Sequence, residues 1–171
     1  MKRTALIALL PLALLLLLGA GARTASAQEK AAAQPKIQAS AIQVEMVKSD
    51  EIQLPIQFQL ALYEHLISEI TKTGKFQHVY RDGDKDAASA SGLVILHSNV
   101  FGFKQGSEEK RQVTTVSGAT QIKVHVNFTD KDGKSELSQD VTGNVRFLGG
   151  NLRATYDYAK KVAQIVTTDF Q

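Results

Sequence analysis

Apolar and polar residues alternate along the first part of the folded region, which is expected to begin near Ile37. Every second residue from Ile37 to Ala41 is apolar, and the alternation continues from Ile42 to Met46 after a shift of one residue. A period of two is typical of a half-buried strand, and a one-residue change of phase is typical of a β-bulge. We therefore predict a first strand, with a bulge, in this segment.

Two segments have the apolar stripe of an amphipathic helix. In the first, the apolar residues stand four apart: Phe58, Leu62, Leu66 and Ile70. Pro55 stands where a first helical turn accepts proline, and Gly74 supplies a left-handed stop. The second helix is predicted to begin at Asn151, as its N-cap, and to run to about Thr168.

Four more strands are predicted between the helices, over residues 76–81, 93–103, 121–128 and 136–147. The alternation is most regular in 121–128, which predicts a strand with one buried face and one solvent-exposed face. A polar surface loop is predicted over 82–91 and a charged turn over 105–111. The sequence Asp130-Lys131-Asp132-Gly133-Lys134 predicts a hairpin turn between the last two strands.

The order of elements is therefore β-α-β-β-β-β-α, which predicts the α+β fold class. Because the apolar face of a sheet of consecutive strands must be buried, we expect an antiparallel sheet of about five strands with both amphipathic helices on one face.

The amino terminus predicts export. Residues 1–27 have the three parts of a signal peptide: a basic start, an apolar run of about 14 residues and an Ala-x-Ala site at Ala25 and Ala27. A membrane-spanning helix needs roughly 20 apolar residues, so cleavage after Ala27 is favoured over the alternative of an uncleaved anchor. Residues 28–36 then form a flexible tether, and residues 37–171 a single domain.

Charge and cysteine content narrow the class of protein. Lys2, Arg3 and Arg23 account for three of the 20 basic residues, which leaves 17 to balance the 17 acidic residues. The mature chain is formally neutral, and the basic surface of a nucleic-acid-binding protein is not expected. The chain has no cysteine, which excludes disulfides and lipid attachment at a cysteine. We predict a soluble product without stable membrane insertion, in the periplasm or secreted.

No motif predicts a metal or a cofactor. The four histidines, His65, His78, His97 and His125, lack the spacing of a metal site. The run Asp82-Gly83-Asp84-Lys85-Asp86 begins like a calcium loop, but Ala87 and Leu93 stand where such a loop needs glycine and glutamate. The pair Gly149-Gly150 before a helix lacks the rest of a phosphate-binding loop.

The sequence also lacks the short motifs of nucleophilic enzymes, so we predict no catalytic residue and a protein that is not an enzyme. Triads are defined by geometry rather than by spacing, which leaves an unrecognised hydrolase as an alternative. Its first candidates are His97 with Ser98 or Asp140.

Three stretches resemble a bacterial envelope family of unknown function, of the DUF four-four-ten type. They are the helix end Thr73-Gly74-Lys75-Phe76, the strand end Asn99-Val100-Phe101-Gly102-Phe103, and Val124 to Asp130 with the Asp132-Gly133 turn. The layout is more distantly similar to periplasmic envelope-assembly domains, such as penicillin-binding-protein activators and curli-secretion lipoproteins. The resemblance implies a domain that binds other proteins or polymers, and it assigns no functional residue.

We therefore expect an exported, non-catalytic binding or adaptor domain of the bacterial cell envelope, with an envelope protein or polymer as its partner. The strands that end near Phe101 and Phe103 offer either an edge or an aromatic patch for strand addition, unless both rings belong to the core. A second alternative, besides the hydrolase, is a carrier of a small ligand or lipid, which needs an apolar cavity between sheet and helices.

Overall fold

The computed structural model of the chain describes residues 36–114, 117–147 and 149–171. The predicted signal peptide, and the predicted tether apart from Lys36, lie outside these residues. Within the described ranges, no helix is long and apolar enough to cross a membrane.

The described residues contain three α-helices: α1, Ile56–Thr73; α2, Glu108–Val113; and α3, Arg153–Asp169. The prediction of α1 is confirmed, since the helix follows Pro55 and ends at Gly74, whose φ of 64° is left-handed. The short helix α2 was not predicted and lies in the expected charged turn. The hydroxyl group of Ser107 accepts a hydrogen bond from the backbone N–H of Lys110 and caps it.

Five strands form one sheet: β1, Ala41–Val44; β2, His78–Arg81; β3, Leu93–Lys104; β4, Thr120–Thr129; and β5, Ser135–Val145. Their spatial order is β2-β1-β3-β4-β5. The α+β class and the number of strands are confirmed, but the prediction of an antiparallel sheet is wrong. β1 is parallel to both β2 and β3, and only β3, β4 and β5 are antiparallel.

The parallel half of the sheet arises from two return connections. Helix α1 carries the chain back between β1 and β2, and residues 82–92 carry it back again between β2 and β3. The second connection was predicted as a simple surface loop. It contains a 3₁₀ helix, Lys85–Ser89, and buries Ala87 against Ala41 and Leu93. The connection therefore covers part of the sheet face that the α-helices leave open.

β1 is shorter than predicted. Ile37 does not belong to it but forms an isolated parallel bridge with Phe170, close to the carboxyl terminus. The N–H of Ile37 donates to the carbonyl of Asp169 at 2.7 Å, and the N–H of Gln171 donates to the carbonyl of Ile37 at 3.1 Å. The two ends of the domain are therefore tied together by backbone hydrogen bonds.

The core lies between one face of the sheet and the helices α1 and α3. In β4 the alternate residues Ile122, Val124, Val126 and Phe128 are fully buried. The predicted stripe of α1 is buried against them to 1% exposure or less. Each such side chain contributes about 1.5–3 kcal/mol relative to exposure, so this layer is the main source of stability. We call the opposite face of the sheet the outer sheet face.

The start of α3 differs from the prediction. The N-cap position is occupied by Leu152, which makes no side-chain cap. Asn151 instead joins two neighbouring segments: its Oδ1 accepts from the hydroxyl of Thr120 at 2.7 Å, and its Nδ2 donates to the carbonyl of Gly106 at 3.3 Å. Local sequence favours asparagine as a cap, but here the tertiary hydrogen bonds take its side chain.

Candidate functional site

The residues predicted as hydrolase candidates do not share a cleft. Ser98 faces the core, is 3% exposed, and has its hydroxyl oxygen 3.1 Å from that of Tyr158. His97 is the adjacent residue of β3 and points to the outer sheet face, because successive strand residues face opposite sides. Asp140 belongs to β5 and contacts His125 of β4. The proposed pairing of His97 with Ser98 or Asp140 is therefore wrong.

The outer sheet face instead holds two separate histidine groups. In the first, Nδ1 of His97 lies 2.8 Å from a carboxylate oxygen of Glu45, and Nε2 lies 3.0 Å from the hydroxyl of Thr129. The carboxylate can only accept, so the neutral ring donates through Nδ1 and accepts from the threonine through Nε2. This group links the segment after β1 to β3 and β4.

The second group repeats the pattern between β4 and β5. Nδ1 of His125 lies 2.7 Å from Oδ1 of Asp140, and Nε2 lies 2.9 Å from the hydroxyl of Ser138. The register pairs His125 with Asp140 directly across the two strands. The same arrangement occurs in serine hydrolases, where the hydroxyl is the nucleophile, the imidazole is its base and the carboxylate orients the base. Sequence reasoning missed this group.

Chemically, the second group can transfer a proton from the Ser138 hydroxyl to the imidazole of His125. The side chains of His125 and Asp140 are 50% and 64% exposed. Water therefore solvates the charges that such a transfer creates, and electrostatic stabilisation is worth less than in an enclosed site. As a cross-strand contact, the same group stabilises the pairing of β4 and β5.

The remaining histidines lie elsewhere. Nδ1 of His65 is 2.8 Å from the hydroxyl of Thr155, and the His78 ring stacks on Tyr80 with 5.8 Å between ring centroids. Over the described ranges, no group of three histidine or acidic side chains could hold a metal ion.

The acidic runs have backbone partners. Oδ1 of Asp84 accepts from the N–H of Asp86 and caps the 3₁₀ helix, while Oδ2 of Asp82 accepts from the N–H of Met46. The hairpin turn predicted at Asp130 is present, with its carboxylate accepting two backbone N–H groups of the turn. These contacts are those expected of turn and cap residues.

Exposed apolar side chains concentrate at one end of the domain. Large exposed hydrophobic residues among those described are Met46, Ile56, Leu60, Phe101, Val113, Phe147, Leu152 and Tyr156. The topology places the segments that carry them at the same end, because β1, β3 and β5 end there and the helices that follow these strands begin there. We call this set the apolar end. Exposed apolar surface that gathers in one region of a protein marks candidate interaction sites.

The two phenylalanines predicted as a binding feature have different environments. Phe103 packs edge-on against Phe58 with 4.8 Å between centroids and is partly buried. Phe101 is 39% exposed and belongs to the apolar end. Nearby, Phe147 and Tyr156 flank a depression of about 290 Å³. Of the two predicted rings, therefore, only Phe101 is exposed, and the aromatic side chains that line the depression, Phe147 and Tyr156, belong to other segments.

Comparisons with known proteins give a fold but no family. No protein-family model matches the chain, and no curated protein matches it by sequence. Among solved structures, the PelC dodecamer from Paraburkholderia phytofirmans matches with a TM-score of 0.57 and 13% identity, covering 78% of this chain and 89% of that one. A variant of the same PelC with one substitution, also a dodecamer, matches with a TM-score of 0.55 and 14% identity over 80% and 92% of the two chains.

A weaker match is the DUF330 protein of Xanthomonas campestris, with a TM-score of 0.48 and 13% identity over 78% of this chain and 84% of that one. The likeness to PelC shows that this chain shares its fold with a bacterial protein.

Proposed function

We propose that the protein is an exported, non-catalytic binding or adaptor domain of the bacterial cell envelope, and that the apolar end is its contact surface. The observation that carries this proposal is the one-sided distribution of exposed apolar side chains. Scattered exposed hydrophobics are ordinary, but their confinement to one end is typical of an interface. The proposal includes export with cleavage after Ala27 and kinship with the DUF four-four-ten type of envelope family.

In this proposal the apolar end binds further copies of the same chain. PelC, which has the same fold, forms dodecamers. The formal neutrality of residues 28–171 removes the long-range repulsion that would oppose self-association. The outer sheet face remains free in such an assembly to contact an envelope protein or polymer.

Light scattering coupled to gel filtration, over a range of protein concentrations, tests the self-association. We expect the wild type to form an oligomer. Combining Phe147→Ser and Val113→Ser should raise the protein concentration at which this oligomer dissociates by about tenfold or more. Lys131→Ser, at the hairpin turn on the opposite end, is the control and should leave the oligomer unchanged. A wild-type chain that stays monomeric at all concentrations would exclude this contact.

Affinity capture from the envelope fraction separates the adaptor role from self-association. A partner that is captured by the wild type and lost with the double variant binds at the apolar end or requires the oligomer. A partner captured equally by both binds elsewhere on a monomer.

A second candidate, a hydrolase, is favoured only by the group of Ser138, His125 and Asp140. In that mechanism the hydroxyl oxygen of Ser138 attacks an acyl carbon, Nε2 of His125 takes its proton, and Asp140 holds the Nδ1–H. The imidazolium then gives the proton to the leaving alcohol or phenol oxygen as its bond to the acyl carbon breaks, and water hydrolyses the acyl-serine by the same route and releases the acid. Hydrolysis of p-nitrophenyl acetate by the wild type and by Ser138→Ala is the test, with Ser135→Ala as the matched control. Equal rates for all three proteins would exclude this candidate. Buried side chains fill the layer between the sheet and the helices, so no observation on the described residues favours the carrier.

A further inference from the structure

β5 is an edge strand with backbone groups that have no partner in the sheet. Two contacts identify which residues point their backbone away from β4: the N–H of Asn144 donates to Asp157, and the carbonyl of Thr142 accepts from Lys161. Residues of an antiparallel edge strand alternate in this respect. Asp140, two residues before Thr142, therefore also points its N–H and C=O outward.

The same alternation applies to Ser138. Within the described residues, no backbone group pairs with the outward N–H and C=O of Ser138 or Asp140. An edge of this kind is a template for another extended chain. The other edge strand, β2, has only four residues, and short edges are protected against such pairing.

A groove of about 560 Å³ runs beside the free part of β5, between this strand and α3. Its strand side includes Gln139 and Val141, and its helix side includes Gln164, Ile165 and Thr168. The helix contacts β5 closely at Gly143, and Lys161 and Ile165, further along α3, line the groove. The groove thus combines an open line of backbone donors and acceptors with an apolar contact at Ile165 and Val141.

We infer that an extended peptide binds in this groove as a sixth strand, antiparallel or parallel to β5, over Ser138 to Thr142. Strand addition supplies main-chain hydrogen bonds, and alternate side chains of the added strand enter the pockets beside it. Here an apolar side chain of the peptide packs on Ile165. A basic side chain fits beside Asp169, which lines the groove and has no ion-pair partner among the described residues.

The occupant is limited in length. Lys161 donates a hydrogen bond to the carbonyl of Thr142, and Asp157 accepts one from the N–H of Asn144. The carboxyl-terminal part of the β5 edge is therefore already covered. The free segment of about five residues spans roughly 17 Å of extended chain. This surface is separate from the apolar end, and the inference does not require self-association.

Selection from a phage-displayed library of random decapeptides, against the exported protein, tests the inference. We expect enriched peptides with alternating apolar residues and a basic residue. Amide hydrogen exchange should show that the N–H groups of Ser138 and Asp140 exchange fast in the free protein and slowly with an enriched peptide bound. The variant Asp140→Pro removes the outward donor while leaving the ladder to β4 intact, because proline is accepted where the N–H faces solvent.

We expect Asp140→Pro to bind the peptide about tenfold or more weakly than the matched control Asp140→Ala, which also lacks the carboxylate but keeps the N–H. If the proline variant does not fold, an enriched peptide N-methylated at alternate residues replaces it and should lose binding in the same way. Failure to enrich any peptide, protection mapped to the apolar end, or equal binding by N-methylated and unmodified peptides would each overturn the inference. Disruption of the oligomer through Phe147 should leave peptide binding unchanged.

Discussion

Gly143 of β5 lies directly against Ala154 in the first turn of α3: a Cβ atom on the glycine would stand 2.2 Å from the carbonyl oxygen of Ala154. A distance this short is not tolerated, and the nearby Cβ of Tyr158 would be only 2.7 Å away. The absence of a side chain at this one strand position therefore sets how closely α3 approaches the sheet.

The first prediction concerns this contact. We expect Gly143→Ala to lower the free energy of unfolding by about 1–3 kcal/mol, because the extra methyl group overpacks the interface between strand and helix. Urea unfolding followed by circular dichroism measures the change. Gly102→Ala is the control, since the nearest atoms to its Cβ would be side-chain carbons of Lys123 at 3.1–3.3 Å rather than backbone at 2.2 Å. A similar loss in both variants would show that strand glycines matter for another reason.

The second prediction concerns the buried hydrogen bond between Ser98 and Tyr158. Both hydroxyl groups lie in the core, 3.1 Å apart. Removing one leaves the other without its partner, so we expect Ser98→Ala and Tyr158→Phe each to cost about 1–3 kcal/mol. The double variant should cost less than the sum of the two, because neither hydroxyl then remains buried and unpaired. Additive losses in this double-mutant cycle would contradict the prediction.

The third prediction concerns the pH dependence of stability that the burial of Tyr158 causes. Loss of solvent raises the pKa of its hydroxyl above the usual value, and the hydrogen bond with Ser98 lowers it by a smaller amount. The raised pKa contributes stability that is complete below the unfolded-state pKa of about 10 and is lost as the pH rises above it. We expect the wild type to lose stability more steeply than Tyr158→Phe in alkaline solution. Denaturant unfolding at a series of pH values tests this, and parallel curves for the two proteins would contradict it.

Local patterns in the sequence predicted α1, α3 and the hairpin but neither α2 nor the parallel half of the sheet. The stripe of α1 and the alternation of β4 are properties of neighbouring residues, so they can be read directly. β1 and β2 have only four residues each. A strand this short carries no signal of its direction, and its pairing depends on how α1 and residues 82–92 return the chain.

The histidine group on β4 and β5 was missed because its members meet only in one register of the two strands. Counting outward from the hairpin turn pairs His125 with Gln139, whereas the observed bulge near Thr129 shifts the partner to Asp140. A shift of one residue moves every side chain of a strand to the other face. His97 and Ser98 do not meet because successive residues of a regular strand point to opposite faces of the sheet.

The last prediction concerns the ion pair that joins α1 to the edge strand β2. Both guanidinium NH groups of Arg81 donate to the carboxylate of Glu64, at 2.7 and 2.8 Å, and this hydrogen bonding lowers the pKa of Glu64. A lowered pKa contributes stability above the unfolded-state value of about 4.3, which is lost as the pH falls through the folded-state pKa. Because both side chains are more than half exposed, we expect Glu64→Gln to cost under about 1 kcal/mol at neutral pH. The difference from the wild type should disappear in acid or at high salt, whereas a loss that persists under both conditions would show that Glu64 acts through packing.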